Sequence, residues 1–153
     1  MAIPPQEFGA DLQLLGNLQF QNDRARGSDL FFGTRAQTGL VDLRTLSGTD
    51  NLKQALLLRF LTSMGELTQL GHPDYGSRLS ELIGELNNQA NRNLAKMYVL
   101  QALAAEPRVQ QVLNVVVTPN AAIRDQIDIA VSVKVIDSPT PLNLVFPFFL
   151  GGS

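Results

Sequence analysis

A chain of 153 residues that is 44% hydrophobic and 17% charged, with 12 glycines, has the apolar mass for one compact domain with a core and is not disordered by composition. Its 12 basic and 14 acidic residues leave a net charge of −2, which excludes the positive field that holds nucleic acid or an anionic membrane. Without cysteine there is no disulfide, thiol catalysis or cysteine metal site, and with His72 as its one histidine the chain is expected to carry neither a metal centre nor a cofactor.

In chain order, the N-terminus "MAIPPQEFGADLQ" shows no basic region followed by an apolar segment. No run anywhere approaches about 18 uninterrupted apolar residues, so the expectation is a soluble, cytoplasmic start with no membrane insertion. "DLQLLGNLQFQ" alternates Leu12, Leu14, Leu18 and Phe20 against polar residues around Gly16-Asn17, which predicts a short hairpin. Residues 22–36 read as a polar loop pinned to the body by Phe31-Phe32, and "GLVDLRTL" as a strand over 39–46. "SGTDNLKQALLLRFLTS" predicts a helix capped by Thr49 or Asp50, and its apolar residues on nearly every side predict burial. After a connecting loop over 63–76, "SRLSELIGEL" predicts a shorter helix capped by Ser77. A third helix is expected over 87–106, with Gln89, Arg92, Asn93 and Lys96 on a polar face and Leu94, Met97, Tyr98 and Ala102 opposite.

After Pro107 the period becomes two. "QIDIAVSVKVI" alternates Ile127, Ile129, Val131, Val133 and Val135 against polar or small residues, and follows "VLNVVVT" across the turn "PNAAIRD", which predicts an antiparallel pair. "PLNLVFPFFL" places Leu142, Leu144, Phe146 and Phe148 on one face, and Pro147 assigns this strand to a sheet edge. Val145 and Phe149 make its other face apolar too, so cover is expected, from the N-terminal segment or from a partner. The fold class is α+β: about three helices on a small, mainly antiparallel sheet.

Candidate chemistry is sparse. Glu66, His72, Asp74, Tyr75 and Glu81 gather in a short span, but nothing in the pattern fixes the cleft that two glycosidase carboxyls require. Ser77, His72 and Asp74 could be drawn as a triad, but no nucleophile-elbow motif supports one. Arg59, inside an apolar helix, needs a partner, for which Glu66 or Glu106 could serve. At the junction "AAEPRVQQV" Pro107 disfavours helical geometry at the residue before it, so the helix should stop near Glu106. That leaves a carboxylate at the negative end of a helix dipole, and Arg108 can pair with it locally or reach a partner's carboxylate in fork geometry.

Three stretches, "SGTDNLKQALLLRFLTSMGELTQLGHPDYGSRLSELIG", "LAKMYVLQALAAEPRVQQV" and "PLNLVFPF", resemble in the same order the small baseplate wedge proteins of contractile phage tails. Their relatives include the TssE component of type VI secretion and counterparts in extracellular contractile injection particles. The resemblance covers residues 38–149 and divides the chain into an N-terminal extension over 1–36, with short strands and a loop, and a wedge domain over 37–153. It implies a sheath initiator without enzymatic activity, present in multiple copies in a six-fold baseplate beside the inner tube and hub. Leu142, Leu144, Phe146 and Phe148 would lie on a handshake edge that pairs with the first sheath subunits, and Glu106, Pro107 and Arg108 would dock to the core bundle of the wedge. Two other readings stay open, a tail-associated muramidase using Glu66 or Asp74 and an anti-adaptor-like regulatory binder.

Overall fold

The computed structural model describes residues 8–16 and 30–151. The chain divides into two compact units, Met1–Ala55 and Leu56–Ser153. The first holds four three-residue strands, β1 (Ala10–Leu12), β2 (Phe32–Thr34), β3 (Val41–Leu43) and β4 (Thr45–Ser47), and the start of helix α1 (Gly48–Leu61). β1 pairs antiparallel with β4, and β2 with β3.

The strand expected over 39–46 is therefore two, and Arg44 is the joint between them. The Arg44 N–H donates to the Phe31 carbonyl at 2.7 Å, while its carbonyl accepts from the Gln13 N–H at 2.9 Å. β1 and β2 thus pair in succession with the two halves of one extended run. β1 pairs with a strand distant in sequence, and the second half of the hairpin expected around Gly16 is not part of what the structure describes. Leu18 and Phe20 of that hairpin lie outside the described residues. The segment after β1 is held by a side chain: buried Gln54 of α1 accepts from the Leu14 and Leu15 N–H groups at 2.8 and 3.1 Å and donates to the Leu12 carbonyl at 2.8 Å. Of the Phe31-Phe32 pair expected to pin the preceding loop, Phe32 stands 65% exposed on the β2–β3 pair and Phe31 is half-buried, while residues 22–29 of that loop lie outside the described residues.

The second unit contains the end of α1, helix α2 (Gln89–Ala104), and the sheet of β5 (Val109–Pro119), β6 (Gln126–Val135) and β7 (Leu142–Phe149) in the order β5-β6-β7, both pairs antiparallel. β6 buries Ile127, Ile129, Val131, Val133 and Val135, as its alternation requires, and α2 packs against β5. Phe60 at the end of α1 stacks on Phe146 of β7 with ring centres 5.1 Å apart. Pro147 sits on an edge strand, as expected.

Among the described residues there are two α-helices, not about three, and several small sheets in place of one. The segment expected as a helix after Ser77 makes only one 3-10 turn, Leu79–Leu82, because both its ends are tied elsewhere. The Ser77 hydroxyl donates to the Phe60 carbonyl at 2.6 Å, and the Gly84 N–H donates to the Leu150 carbonyl at 2.6 Å. α1 begins at Gly48, so Thr49 and Asp50 lie within its first turn, where Asp50 complements the dipole. α2 is capped by Asn88, whose side chain accepts from the Asn91 N–H at 2.8 Å, and buries Ala95, Tyr98, Val99, Ala102 and Leu103. Leu94 and Met97, expected on the buried face, are exposed. The buried stripe instead runs through Ala95, Tyr98, Val99, Ala102 and Leu103.

Candidate functional site

The Glu-Pro-Arg corner is a turn that joins α2 to β5. The helix stops at Ala104, the Glu106 N–H donates to the Leu103 carbonyl, and the Glu106 carbonyl accepts from the Val109 N–H at 3.1 Å. Pro107 thereby occupies the second position of a four-residue turn, which its fixed φ favours. Arg108 is anchored next to the sheet, its carbonyl accepting from the Ile136 N–H at 3.1 Å.

This turn points the Glu106 side chain inward, where only 3% of it is exposed. One carboxylate oxygen accepts from Arg108 Nε at 2.6 Å and from the Arg108 N–H at 3.3 Å; the other accepts from Arg59 Nη2 at 3.3 Å. Arg59 thus takes Glu106, not Glu66. Its guanidinium lies 4.6 Å from the ring centre of Tyr75, so the "HPDYG" loop, the end of α1 and the Glu-Pro-Arg corner converge in one cluster. The charge on Glu106 is met within its own chain, and no second protein is needed to compensate it. A carboxylate this buried is stable only when paired, and two guanidiniums converge to pair it.

Burial works to raise the Glu106 carboxyl, but the hydrogen bonds and charge of Arg108, with the charge of Arg59, outweigh it and hold the group below its ordinary value. The Tyr75 phenol is pushed up, first by burial and then by the Glu106 charge, against the lowering effect of both arginines. The cluster holds two positive charges and one negative. Arg59 Nε is buried without a hydrogen-bond partner, and the two terminal nitrogens of Arg108 make no hydrogen bond among the described residues. Arg108 is 29% exposed, so the corner presents a guanidinium fixed from behind by its own glutamate, with its outer nitrogens open to a carboxylate.

On β7 the four residues expected to meet a partner, Leu142, Leu144, Phe146 and Phe148, all have buried side chains. They pack in the core, so an added strand would meet the β7 backbone and the outer side chains, of which Val145 is 52% exposed.

The carboxylates weighed for catalysis are dispersed in role. Glu66 accepts from the Ser63 N–H at 3.1 Å. His72 and Asp74 are exposed, and the Ser77 hydroxyl is buried and spent on a carbonyl. Glu81 receives both Nε and Nη2 of Arg78 at 2.9 Å, bonds that hold its carboxyl below the usual range. Glu81 and Glu106 are both held toward the charged form, opposite to what a glycosidase acid requires. Among the described residues no group of three His, Asp or Glu could hold a metal ion, and no helix is long and apolar enough to cross a membrane.

The first unit carries an open groove of about 510 Å³ lined by Leu12, Gly33, Arg35, Asp42, Leu43 and Arg44, with Arg35 and Asp42 paired across it. Short strands of exposed residues give no periodic signal that could have marked it. The role of Tyr75 was missed for a similar reason: its partner Arg59 is 16 positions away and only the fold joins them. The available clue was an arginine inside an apolar helix.

No family model matches this chain, and no curated protein does. A solved structure does: a "putative tail lysozyme" from Geobacter sulfurreducens, 28% identical, with a TM-score of 0.56 over 65% of this chain and 88% of that one. Over that 65% the chain therefore shares its fold, and a measurable part of its sequence, with this tail protein.

Proposed function

We propose that this chain is a structural, non-enzymatic component of a contractile-tail baseplate that initiates the sheath. The observation that carries the reading is the likeness in fold and sequence to a tail protein. Two features of the surface suit it. The Arg108 fork, held rigid by buried Glu106, fits a carboxylate on a core-bundle protein of the wedge. The edge of β7 fits a strand from the first sheath subunits, since strand addition supplies main-chain hydrogen bonds and side-chain contacts together. The chain would assemble in the cytoplasm and take its place in several copies in a six-fold particle near tube and hub. Deleting it from the host is expected to abolish sheathed particles in electron micrographs, and restoring it to bring them back. Normal sheaths in the deletion strain would refute the reading.

A second reading follows from the name of the neighbour, a tail-associated muramidase. It predicts that Glu66→Gln or Asp74→Asn abolishes peptidoglycan clearance while particles assemble normally. The structural reading predicts no effect of either change on clearance.

A further inference from the structure

The solvent side of α2 is almost free of charge. Across Gln89–Ala104 the charged residues are Arg92 and Lys96, and none is acidic. With Ala95, Tyr98, Val99, Ala102 and Leu103 buried, a period of 3.6 turns Ala90, Leu94, Met97, Leu100 and Ala104 to the opposite side, where all five are exposed. Leu94, Met97 and Leu100 are 37, 41 and 38% exposed, an apolar stripe where a surface helix ordinarily carries its polar residues.

That stripe is symmetric about Met97. Leu94 and Leu100 stand three positions to either side of it, Asn93 and Gln101 four, and Ala90 and Ala104 seven. Two such helices laid antiparallel, with a two-fold axis at Met97, gather Leu94, Met97 and Leu100 of each copy into one apolar cluster closed by amides at both ends. The ends of the helix complement each other in the same arrangement. Glu85 lies three residues before the Asn88 cap, is exposed, and has no ion pair among the described residues, while Arg108 follows the last turn. An antiparallel pair brings the Glu85 end of each copy to the Arg108 end of the other and opposes the two helix dipoles. A parallel pair sets like charge against like.

We propose that the free protein pairs with a second copy of itself through the outer face of α2, antiparallel, with Met97 on the two-fold axis and Glu85 of each copy at the outer nitrogens of the other copy's Arg108. The symmetry is what selects a second copy, because a segment of the same chain or an unrelated protein gains nothing from a stripe that reads alike in both directions. One helix face buries less than the roughly 1,200 Å² of a stable complex, so the pair is weak and reversible. The inference concerns the protein before assembly and does not rest on the sheath-initiator reading. Under that reading the pair covers the Arg108 fork until a wedge protein displaces it.

Sedimentation velocity of the full-length protein from micromolar to millimolar concentration tests it. Wild type is expected to shift reversibly from monomer to dimer, and Met97→Glu, which sets two carboxylates together at the axis, to raise the dissociation constant by about tenfold or more. Leu70→Glu, at a leucine 73% exposed elsewhere on the surface, should leave it unchanged, and Glu85→Arg should weaken pairing about threefold or more. Circular dichroism checks the fold of each variant. Orientation is read by cross-linking, since the chain has no native cysteine. A short bismaleimide is expected to join Ala90→Cys to Ala104→Cys in a mixture of the two variants, but not Ala90→Cys to itself, whose two copies stand about 21 Å apart along the seam. A wild type that stays monomeric throughout, with the face covered by the chain's own residues or kept for another protein, overturns the proposal. So does a dimer that Met97→Glu leaves intact, or Ala90→Cys joined to itself.

Discussion

Replacing Glu106 tests whether the Glu-Pro-Arg corner is an internally braced element. Its carboxylate makes three hydrogen bonds, to Arg59 Nη2 at 3.3 Å, Arg108 Nε at 2.6 Å and the Arg108 N–H at 3.3 Å, with 3% of the side chain exposed. Removing one member of a buried ion pair costs about 3–5 kcal/mol, because the other charge stays buried and unpaired. Arg108 reaches water and can resolvate, so the lower end applies, and Glu106→Ala is expected to lose about 3 kcal/mol. At roughly 2–4 °C per kcal/mol for a chain of this size, Tm should fall by roughly 6–12 °C. Urea unfolding followed by circular dichroism gives the value. Replacing Arg59 with Met and Glu106 with Leu together should cost no more than about 1 kcal/mol beyond Glu106→Leu alone, since the orphaned guanidinium is then gone. A loss below about 1 kcal/mol for Glu106→Ala would mean that the pair behaves as a solvated surface bridge, and the bracing argument would fail.

Other expectations concern neighbouring groups. The Glu106 carboxyl is held below its ordinary value of 4.5, so its contribution to stability is complete above that value and is lost as pH falls through the lowered, folded-state value. The stability gap between wild type and Glu106→Gln should accordingly narrow on acidification below about pH 4, and a gap that stays constant to pH 2 would contradict the assignment. Tyr75→Ala removes the ring over Arg59 and is expected to cost about 1–2 kcal/mol, whereas Tyr75→Phe keeps the ring and should cost less than half as much. Gly76 has φ +111°, and a Cβ there would lie 2.6 Å from the Thr62 carbonyl oxygen and 2.9 Å from that of Ser63. Gly76→Ala should therefore cost about 2–4 kcal/mol in urea unfolding, through strain and backbone overlap, and a neutral result would mean that the loop can shift. Arg108→Lys keeps the charge but loses the fork, and is expected to lower particle yield without lowering Tm by more than about 3 °C.

The strand pair around the "PNAAIRD" turn was legible because alternation with period two has one physical reading when one face is buried and the other wet. The edge position of β7 was legible from Pro147 alone, since a missing donor cannot sit inside a ladder. The helix after Ser77 was misread because local propensity says nothing about a hydroxyl tied to Phe60 or a glycine N–H tied to Leu150. Leu94 and Met97 were misplaced because a helix with apolar residues on several sides does not say which side meets the sheet. The side chains of Leu142, Leu144, Phe146 and Phe148 were on one face as expected, but only packing decides that this face is the core.

The need at the Glu-Pro-Arg corner is written in the residues: a proline that stops the helix, a carboxylate at the wrong end of its dipole, and an arginine in the apolar helix α1 that requires a partner. That these needs answer each other follows from the packing of the folded chain. Arg59 and Glu106 are 47 positions apart, and no pattern local to either one encodes which carboxylate the arginine meets. Closing that distance depends on the sheet and helices packing as they do, and the same packing leaves the outer nitrogens of Arg108 facing solvent.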